Sequence, residues 1–106
     1  LDISGGTTDT GSAVLSSSSA DMSADLDISA GGIALGYCFN TAAEDVNPTY
    51  SFTNLTTNFN SAVDYARSQG GGSAEFATAQ SGLTLTASTN ATNQLGVGIF
   101  ASWPPS

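Results

Sequence analysis

Alternating apolar and polar residues mark the clearest elements of this sequence. The stretch from Gly82 to Trp103 contains two runs with a period of two residues. Their apolar members are Leu83, Leu85 and Ala87 in the first run, and Leu95, Val97, Ile99, Ala101 and Trp103 in the second. Because successive side chains of a strand point to opposite faces, each run predicts a β-strand with one buried face. A polar, turn-rich link over 89–94 joins them, so we expect a hairpin whose apolar rows face the core.

Two earlier stretches show the same β character. Residues 21–29, DMSADLDIS, alternate apolar with acidic or serine positions, which predicts a half-buried strand with an acidic outer face. After a turn at 30–32, the run Ile33–Phe39, IALGYCF, is apolar at nearly every position. This is typical of a central strand covered on both faces. Gly36 in its middle indicates a bulge or a close approach of neighbouring groups.

The remaining segments are read by the same rules, with less regular patterns. Residues 1–11 predict an irregular lead-in or a short edge strand, and the serine-rich stretch 12–19 a first strand rather than a linker. Residues 49–52 predict a strand, and 53–60 a loop or a broken strand. Residues 61–68 fit a strand better than the alternative helix. Gln69–Gly72 (QGGG) predicts a flexible turn, and 73–79 a further strand.

Together these patterns predict an all-β fold, an antiparallel β-sandwich or jelly roll of about seven or eight short strands. The sandwich domain is expected over residues 20–103. It follows a Ser/Thr/Gly-rich lead-in, 1–19, that includes a candidate edge strand. A Pro-rich tail, 104–106, ends the sequence, where proline cannot continue a strand ladder.

Composition removes several classes of function. The chain of 106 residues has nine acidic residues against one basic residue and no histidine, for a net charge of −8. Phosphate contacts need several Lys or Arg, so no nucleic-acid partner is expected. Without histidine, Ser-His-Asp and Cys-His catalysis are excluded, and no phosphate-binding glycine motif is present, so we expect no enzyme. The single cysteine, Cys38, is expected to be a buried free thiol.

Membrane insertion is not expected, because no apolar run approaches the ~20 residues of a transmembrane helix. The sequence begins at Leu1 rather than Met. We therefore expect a processed product or a piece of a longer protein.

Calcium is the one metal that this composition favours, because it takes several oxygen ligands. Glu44, Asp45 and Asn47 form the candidate calcium cluster, in the loop over 40–48. The denser acidic set, Asp21, Asp25 and Asp27, is too extended along one strand for a single site. The favoured interpretation of these acids is nevertheless an acidic, solvated surface that blocks edge pairing, with no cofactor bound, and the calcium site is the alternative.

The second half of the chain also resembles a known family. The residues that carry the likeness are IALG at 33–36, Glu44-Asp45, EFATAQSGLTLTA at 75–87, and IFASWP at 99–104. They are similar to small β-sandwich modules at the ends of phage and prophage virion proteins, which carry a "TAAQTGLTVTAT" strand pair and finish in a short "VASW/F-P" strand. The resemblance covers about residues 20–105. Many such modules carry Trp near the acidic loop, where this chain has Tyr50 and Phe52.

The resemblance implies a virion surface component such as a capsid decoration, fibre or tail-tip protein, and it brings no catalytic residues. We therefore expect a non-enzymatic structural protein, on a virion or extracellular surface, that docks against other surface proteins in a homo-oligomer or symmetric array. The expected docking residues are Val14, Leu15, Trp103, Pro104 and Pro105. One alternative is a carbohydrate-binding adhesin module using Tyr50 and Tyr65. Another is a self-assembling surface-layer or pilus subunit.

Overall fold

The computed structural model describes residues 6–15, 21–42, 49–64, 67–90 and 94–105. These residues form eight β-strands and no helix. The strands are β1 (Asp9–Leu15), β2 (Asp21–Ile28), β3 (Gly32–Ala42), β4 (Tyr50–Thr53), β5 (Thr56–Asp64), β6 (Arg67–Phe76), β7 (Gln80–Thr89) and β8 (Gln94–Trp103). The predicted all-β class is confirmed.

The strands form two antiparallel sheets that pack face to face as a sandwich. The wide sheet has five strands in the order β1-β8-β3-β6-β5, and the narrow sheet has three in the order β2-β7-β4. The predicted central strand, Ile33–Phe39, lies within β3 in the middle of the wide sheet. The predicted strand over 21–29 is β2, at the edge of the narrow sheet.

The core lies between the two sheets and draws on both. Its buried side chains are Met22, Leu26, Ile28, Leu85, Ala87 and Tyr50 from the narrow sheet, Ala34, Cys38 and Phe100 from the wide sheet, and Leu55 from the segment between β4 and β5. On β2 the buried residues alternate with exposed acids, as the period of two predicts.

Glycines on the inner face of the wide sheet receive large side chains of the narrow sheet. A Cβ atom on Gly70 would lie 2.5 Å from the ring of Tyr50, and one on Gly98 would lie 3.2 Å from Cβ of Met22. At Gly36 the neighbours would be Leu55 at 2.9 Å and Phe100 at 3.0 Å. The predicted close approach at Gly36 is therefore confirmed, and the absence of side chains at these positions creates the space that the core fills.

The predicted hairpin over Gly82–Trp103 is wrong. Strand β7 lies between β2 and β4 in the narrow sheet, whereas β8 lies between β1 and β3 in the wide sheet. The two strands are consecutive but cross from one sheet to the other. Period-two alternation identifies a strand, but it does not identify the strand's hydrogen-bonding partner, which is chosen by contacts distant in sequence.

The predicted buried row on β8 is also wrong. Leu95, Val97 and Ile99 are 60%, 41% and 54% exposed, respectively. The opposite row faces the narrow sheet, with Phe100 only 2% exposed and Ser102 fully buried. The reason is packing: Met22 of β2 occupies the space above Gly98, so the glycine row must face inward.

One further expectation about local structure is confirmed and one is wrong. Residues 53–60, predicted to be a loop or a broken strand, form a broken strand: they contain the end of β4, an interruption at Asn54 and Leu55, and the start of β5. Residues 69–72, predicted to be a turn, lie instead within strand β6. Aromatic rings supply the packing that these glycines lack. Tyr50 lies over Gly70 on the inner face, and Phe59 lies over Gly71 on the opposite face. Residues 61–64 of the predicted strand 61–68 are in β5, and 67–68 are in β6.

Side chains join the two sheets along both sides of the sandwich. On one side, Oδ2 of Asp9 in β1 accepts a hydrogen bond from the backbone N–H of Asp27 in β2, at 2.8 Å. On the other, the amide of Asn60 in β5 accepts from the backbone N–H of Tyr50 in β4 at 2.7 Å and donates to its carbonyl at 3.1 Å. Backbone groups of both edge strands of the narrow sheet are thus satisfied by the wide sheet.

Candidate docking surface

The surface of the wide sheet that points away from the narrow sheet, called here the outer face, is built from matched cross-strand pairs. In the β3–β8 register Leu35 lies opposite Ala101, Tyr37 opposite Ile99, and Phe39 opposite Val97. Directly opposed residues on one face are close enough for their side chains to pack. The register therefore brings the second apolar row of the sequence together with half of the apolar run of β3.

Large apolar side chains are exposed on this sheet. The described residues include seven exposed large hydrophobic side chains, and all seven lie on strands of the wide sheet: Leu35, Tyr37, Phe59, Val63, Leu95, Val97 and Ile99. Single exposed apolar residues are common on protein surfaces, but a contiguous set is typical of an interaction surface. The clustering on the outer face makes it the candidate functional site.

A groove of about 740 Å³ extends from the middle of the outer face to its Trp103 end. Its floor includes Gly71 and Gly72, and its walls include Leu35, Phe59 and Trp103. A Cβ atom on Gly71 would overlap the Phe59 ring, so the ring lies directly against the backbone of β6. The groove is therefore a depression over glycine backbone between apolar and aromatic side chains.

A few polar groups border the groove. The Tyr37 hydroxyl donates a hydrogen bond to Oε1 of Gln69 at 2.8 Å, which fixes the direction of the tyrosine ring on the outer face. Thr10 and Ser12 of β1 line the groove at one edge of the sheet, and Asn58 of β5 lines it at the other edge. These groups surround the apolar surface at its margins, the arrangement of an apolar centre with a polar rim.

Trp103 is the predicted docking residue that lies in the groove. It is half-buried, occupies the outer row of β8 opposite Ile33, and lines the groove. Pro104 is half-buried, and Pro105 is exposed and lies beside Gly31, where a Cβ atom would be 3.4 Å from its ring. Pro105 therefore lies over the turn between β2 and β3, and neither proline lines the groove.

Val14 and Leu15, the other two predicted docking residues, lie at the end of β1. Their register partners on β8 are Val97 and Gly96, respectively. Val14 is thus aligned with the outer row of β8, whereas Leu15 is aligned with the inner row. Their side chains lie outside the described part of the structure.

The candidate calcium residues Glu44, Asp45 and Asn47 lie outside the described residues. Within the described ranges, no group of three or more His, Cys, Asp or Glu side chains is placed to hold a metal ion. Two acids of β2 have hydrogen-bonding roles instead. Asp25 accepts from the Thr84 hydroxyl at 2.5 Å, and Asp27 accepts from the backbone N–H of Gly82 at 2.8 Å. These carboxylates attach β2 to β7.

Of the two candidate glycan-binding residues, Tyr50 is a core residue. It is 5% exposed, and its hydroxyl donates to the Ser68 carbonyl at 2.8 Å. Burial raises the pKa of Tyr50 well above its usual range. Its ring lies over Gly70 between the sheets and is not available to stack on a sugar. Tyr65 lies outside the described residues.

Cys38 is a buried free thiol, as predicted. It is fully buried on the inner face of β3, and burial raises its pKa to about 12, against the opposing effect of a backbone hydrogen bond at Gly70. A thiol that stays protonated at neutral pH is a poor nucleophile. Cys38 therefore acts as a small apolar core residue.

Charge is separated between the two surfaces of the sandwich. The exposed acids Asp21, Asp25 and Asp27 lie on β2 of the narrow sheet. The central pairs of the outer face, from Leu35–Ala101 to Phe39–Val97, contain no charged residue. On β6, Glu75 lies opposite Ile33 of β3 and Arg67 lies opposite Thr41, so these two charged residues are at the two ends of that face. The outer face thus has an uncharged centre in an acidic protein.

Sequence reasoning found Trp103 and the outer row of β8 but assigned that row to the core. It missed Phe59 and Leu35 as groove residues. The signal in the sequence was β3, which has apolar residues on both of its faces, whereas a two-sheet sandwich has a core on only one face of each sheet. One of those two faces had to remain uncovered by the narrow sheet.

Comparison with protein-family models, with curated proteins and with solved structures finds no match. Among the described residues, no helix is long and apolar enough to cross a membrane.

Proposed function

We propose that this chain is a non-enzymatic structural protein that docks against other protein subunits through the outer face of its wide sheet. The observation that carries the proposal is the clustering of large exposed apolar side chains on that sheet. Side chains such as Leu95 and Ile99 are 60% and 54% exposed. A partner that covers them lowers the free energy of the system, because it removes apolar surface from water.

The chemistry of the face favours a protein partner over a sugar. The groove is lined mainly by aliphatic, aromatic and glycine residues, and its polar groups lie at the rim. Sugar sites need several hydrogen-bonding groups placed against the ring hydroxyls. The adhesin alternative also loses Tyr50, which is in the core. A flat apolar sheet face with a polar rim matches the anatomy of a protein interface.

The proposed setting is a virion or other extracellular surface, where the chain acts as a decoration, fibre or tail component in a symmetric assembly. The virion part of the proposal comes from the resemblance of residues 20–105 to phage modules. The docking part is independent of that resemblance, because it depends on the exposed outer face.

Thiol labelling of two single-site variants tests the proposal. Val97→Cys places a thiol on the outer face, and Ser51→Cys places one on an exposed position of β4 in the narrow sheet. The native Cys38 is buried and unreactive and serves as an internal zero. Each variant is expressed in the organism that makes the chain, and labelling is compared in the isolated chain and in the native assembly.

We expect position 97 to be labelled in the isolated chain, diluted until it is monomeric, and protected in the assembly, with position 51 labelled in both. Equal labelling of position 97 in both samples would contradict docking through the outer face. Protection at position 51 alone would assign docking to the narrow sheet instead.

A further inference from the structure

We infer that the partner that covers the outer face is a second copy of this chain, packed face to face across a twofold axis. The inference rests on the proposed docking function and adds the identity of the partner and the geometry of the contact. Three properties of the described residues support it: the distribution of charge, the size of the face, and the positions of its groove and its most exposed residue.

The charge distribution permits close approach of two identical acidic chains. Each chain has a net charge of −8, so most surfaces of two copies repel. The outer face differs, because its central cross-strand pairs are uncharged, and the acids of β2 are on the other sheet. Face-to-face packing through the wide sheets places the two β2 strands on the far sides of the dimer. This arrangement keeps the β2 acids of the two copies far apart.

The size of the face fits a dimer. Five strands with four spacings of ~4.8 Å span roughly 19 Å, and the β8 row from Leu95 to Trp103 spans roughly 26 Å at ~3.3 Å per residue. The product is roughly 500 Å² on each copy, or about 1,000 Å² in total, which is the area that a small specific interface needs. A single peptide segment or a sugar would leave most of this surface in water.

The face carries complementary features at its two ends. The groove extends from the central Tyr37–Ile99 pair to the Leu35 and Trp103 end. Leu95, the most exposed of the large apolar side chains at 60%, lies at the other end of the same strands, opposite Thr41. A twofold axis in the plane of the interface, running across the strands near the Tyr37–Ile99 pair, exchanges the two ends. The Leu95 end of each copy then lies over the groove of the other, as an isologous contact requires.

The edges of the narrow sheet favour this face over strand addition. Asp9 satisfies a backbone N–H of β2, and Asn60 satisfies both backbone groups of Tyr50 in β4. A second copy that added a strand there would have to break these hydrogen bonds. Docking by the outer face leaves them intact.

Sedimentation velocity over a concentration series tests the inference with a matched pair of variants. Val97→Glu adds a carboxylate to the centre of the outer face, and Ser51→Glu adds the same charge to the exposed surface of the narrow sheet. Val97→Thr keeps the shape and strand preference at position 97 but removes apolar surface. Circular dichroism and urea denaturation at low concentration establish that each variant is folded.

We expect the wild type and Ser51→Glu to dimerise with Kd values that agree within about twofold. Val97→Glu should stay monomeric over the same range, and Val97→Thr should weaken the dimer by about tenfold or more, because each dimer carries the change twice. Equal dimerisation of all four proteins would overturn the inference, since the contact would then lie elsewhere.

A wild-type chain that is monomeric at every concentration would also overturn the inference. In that case the thiol-labelling result decides the broader proposal separately. Protection of position 97 in the native assembly would retain docking by the outer face, with a different protein as the partner. The absence of protection would remove both.

Discussion

At the scale of single residues, neighbouring glycines in β6 have opposite roles. Gly70 lies under the buried ring of Tyr50 between the sheets, and Gly71 lies under the exposed ring of Phe59 on the outer face. Glycine in a strand interior normally weakens it. Here each missing side chain makes room for an aromatic ring, so the two positions are constrained by their neighbours rather than by a turn.

These opposite roles predict unequal effects of the same substitution. Gly70→Ala should destabilise the fold by about 1–3 kcal/mol, because Tyr50 is held by its hydrogen bond to Ser68 and cannot move away. Gly71→Ala should cost less than about 1 kcal/mol, because Phe59 is 44% exposed and can rotate into solvent. Urea denaturation at low protein concentration measures both. Equal losses would contradict the assignment of the two faces.

The buried thiol of Cys38 predicts a loss of stability at alkaline pH. Its pKa is raised from 9.0 to about 12, so above pH 9 the unfolded chain loses a proton that the folded chain keeps. This contribution is fully present below pH 9 and is lost as pH rises from 9 to 12. In Cys38→Ala the loss should be smaller by roughly 1 kcal/mol per pH unit over this range. Urea denaturation at several pH values compares the two proteins.

Tyr50 acts in the same direction at higher pH, because burial also raises its pKa. Tyr50→Phe is therefore the control: it should keep the slope that begins near pH 9 and reduce the one that begins near pH ~10. Identical pH profiles for the wild type and Cys38→Ala would contradict ionisation of the thiol as the cause.

At the scale of elements, strand β8 carries two rows with different functions. The inner row contains Phe100 and Ser102, which are buried, and Gly98, which makes room for Met22. The outer row contains Val97 and Ile99, which are exposed apolar residues. The row with the larger total apolar surface is the one that faces solvent in a single chain, which is the reverse of the usual arrangement.

Two adjacent substitutions test this assignment. Phe100→Ala removes a ring that is 2% exposed and should cost about 3–5 kcal/mol. Ile99→Ala removes a side chain that is 54% exposed and should cost about 1 kcal/mol or less in the monomer. Urea denaturation gives the free energy of unfolding for each variant. A larger loss of stability at position 99 than at position 100 would indicate that β8 has the opposite orientation, with Ile99 facing the core.

The sequence predicts strands better than it predicts their partners. Alternation located β2, β3, β7 and β8, because side-chain periodicity is a local property. It could not show that β7 and β8 belong to different sheets, since pairing depends on residues distant in sequence. The groove was out of reach for the same reason. Leu35, Phe59 and Trp103 meet only because β3, β5 and β8 share one sheet.

At the scale of the whole molecule, the sandwich has an acidic narrow surface and an apolar wide one. It measures 43 × 22 × 19 Å, so charges on the narrow sheet lie further than a Debye length, ~8–10 Å, from a partner docked on the wide sheet. The remaining repulsion between two copies comes from the net charge of −8 on each. Self-association should therefore depend on salt.

We expect the dimer to become tighter as NaCl rises from about 20 mM to about 0.5 M, because salt screens the repulsion and does not weaken apolar contacts. Ser51→Lys, which changes the net charge of each copy from −8 to about −7 without touching the outer face, should flatten this dependence. Sedimentation measurements at each salt concentration give the Kd values. A Kd that rises with salt would indicate charge pairs across the interface and contradict an apolar contact.

The strand order of the wide sheet also has a consequence for the newly made chain. β3 ends at Ala42 and pairs with β6 and β8, and β8 begins only at Gln94. At synthesis rates of ~5–20 residues per second, β8 follows β3 by several seconds. During that time the run Ile33–Phe39 has at least one unpaired backbone edge and exposes apolar side chains on both of its faces. The segment that holds the finished sheet together is therefore the one most exposed to aggregation while the protein is being made.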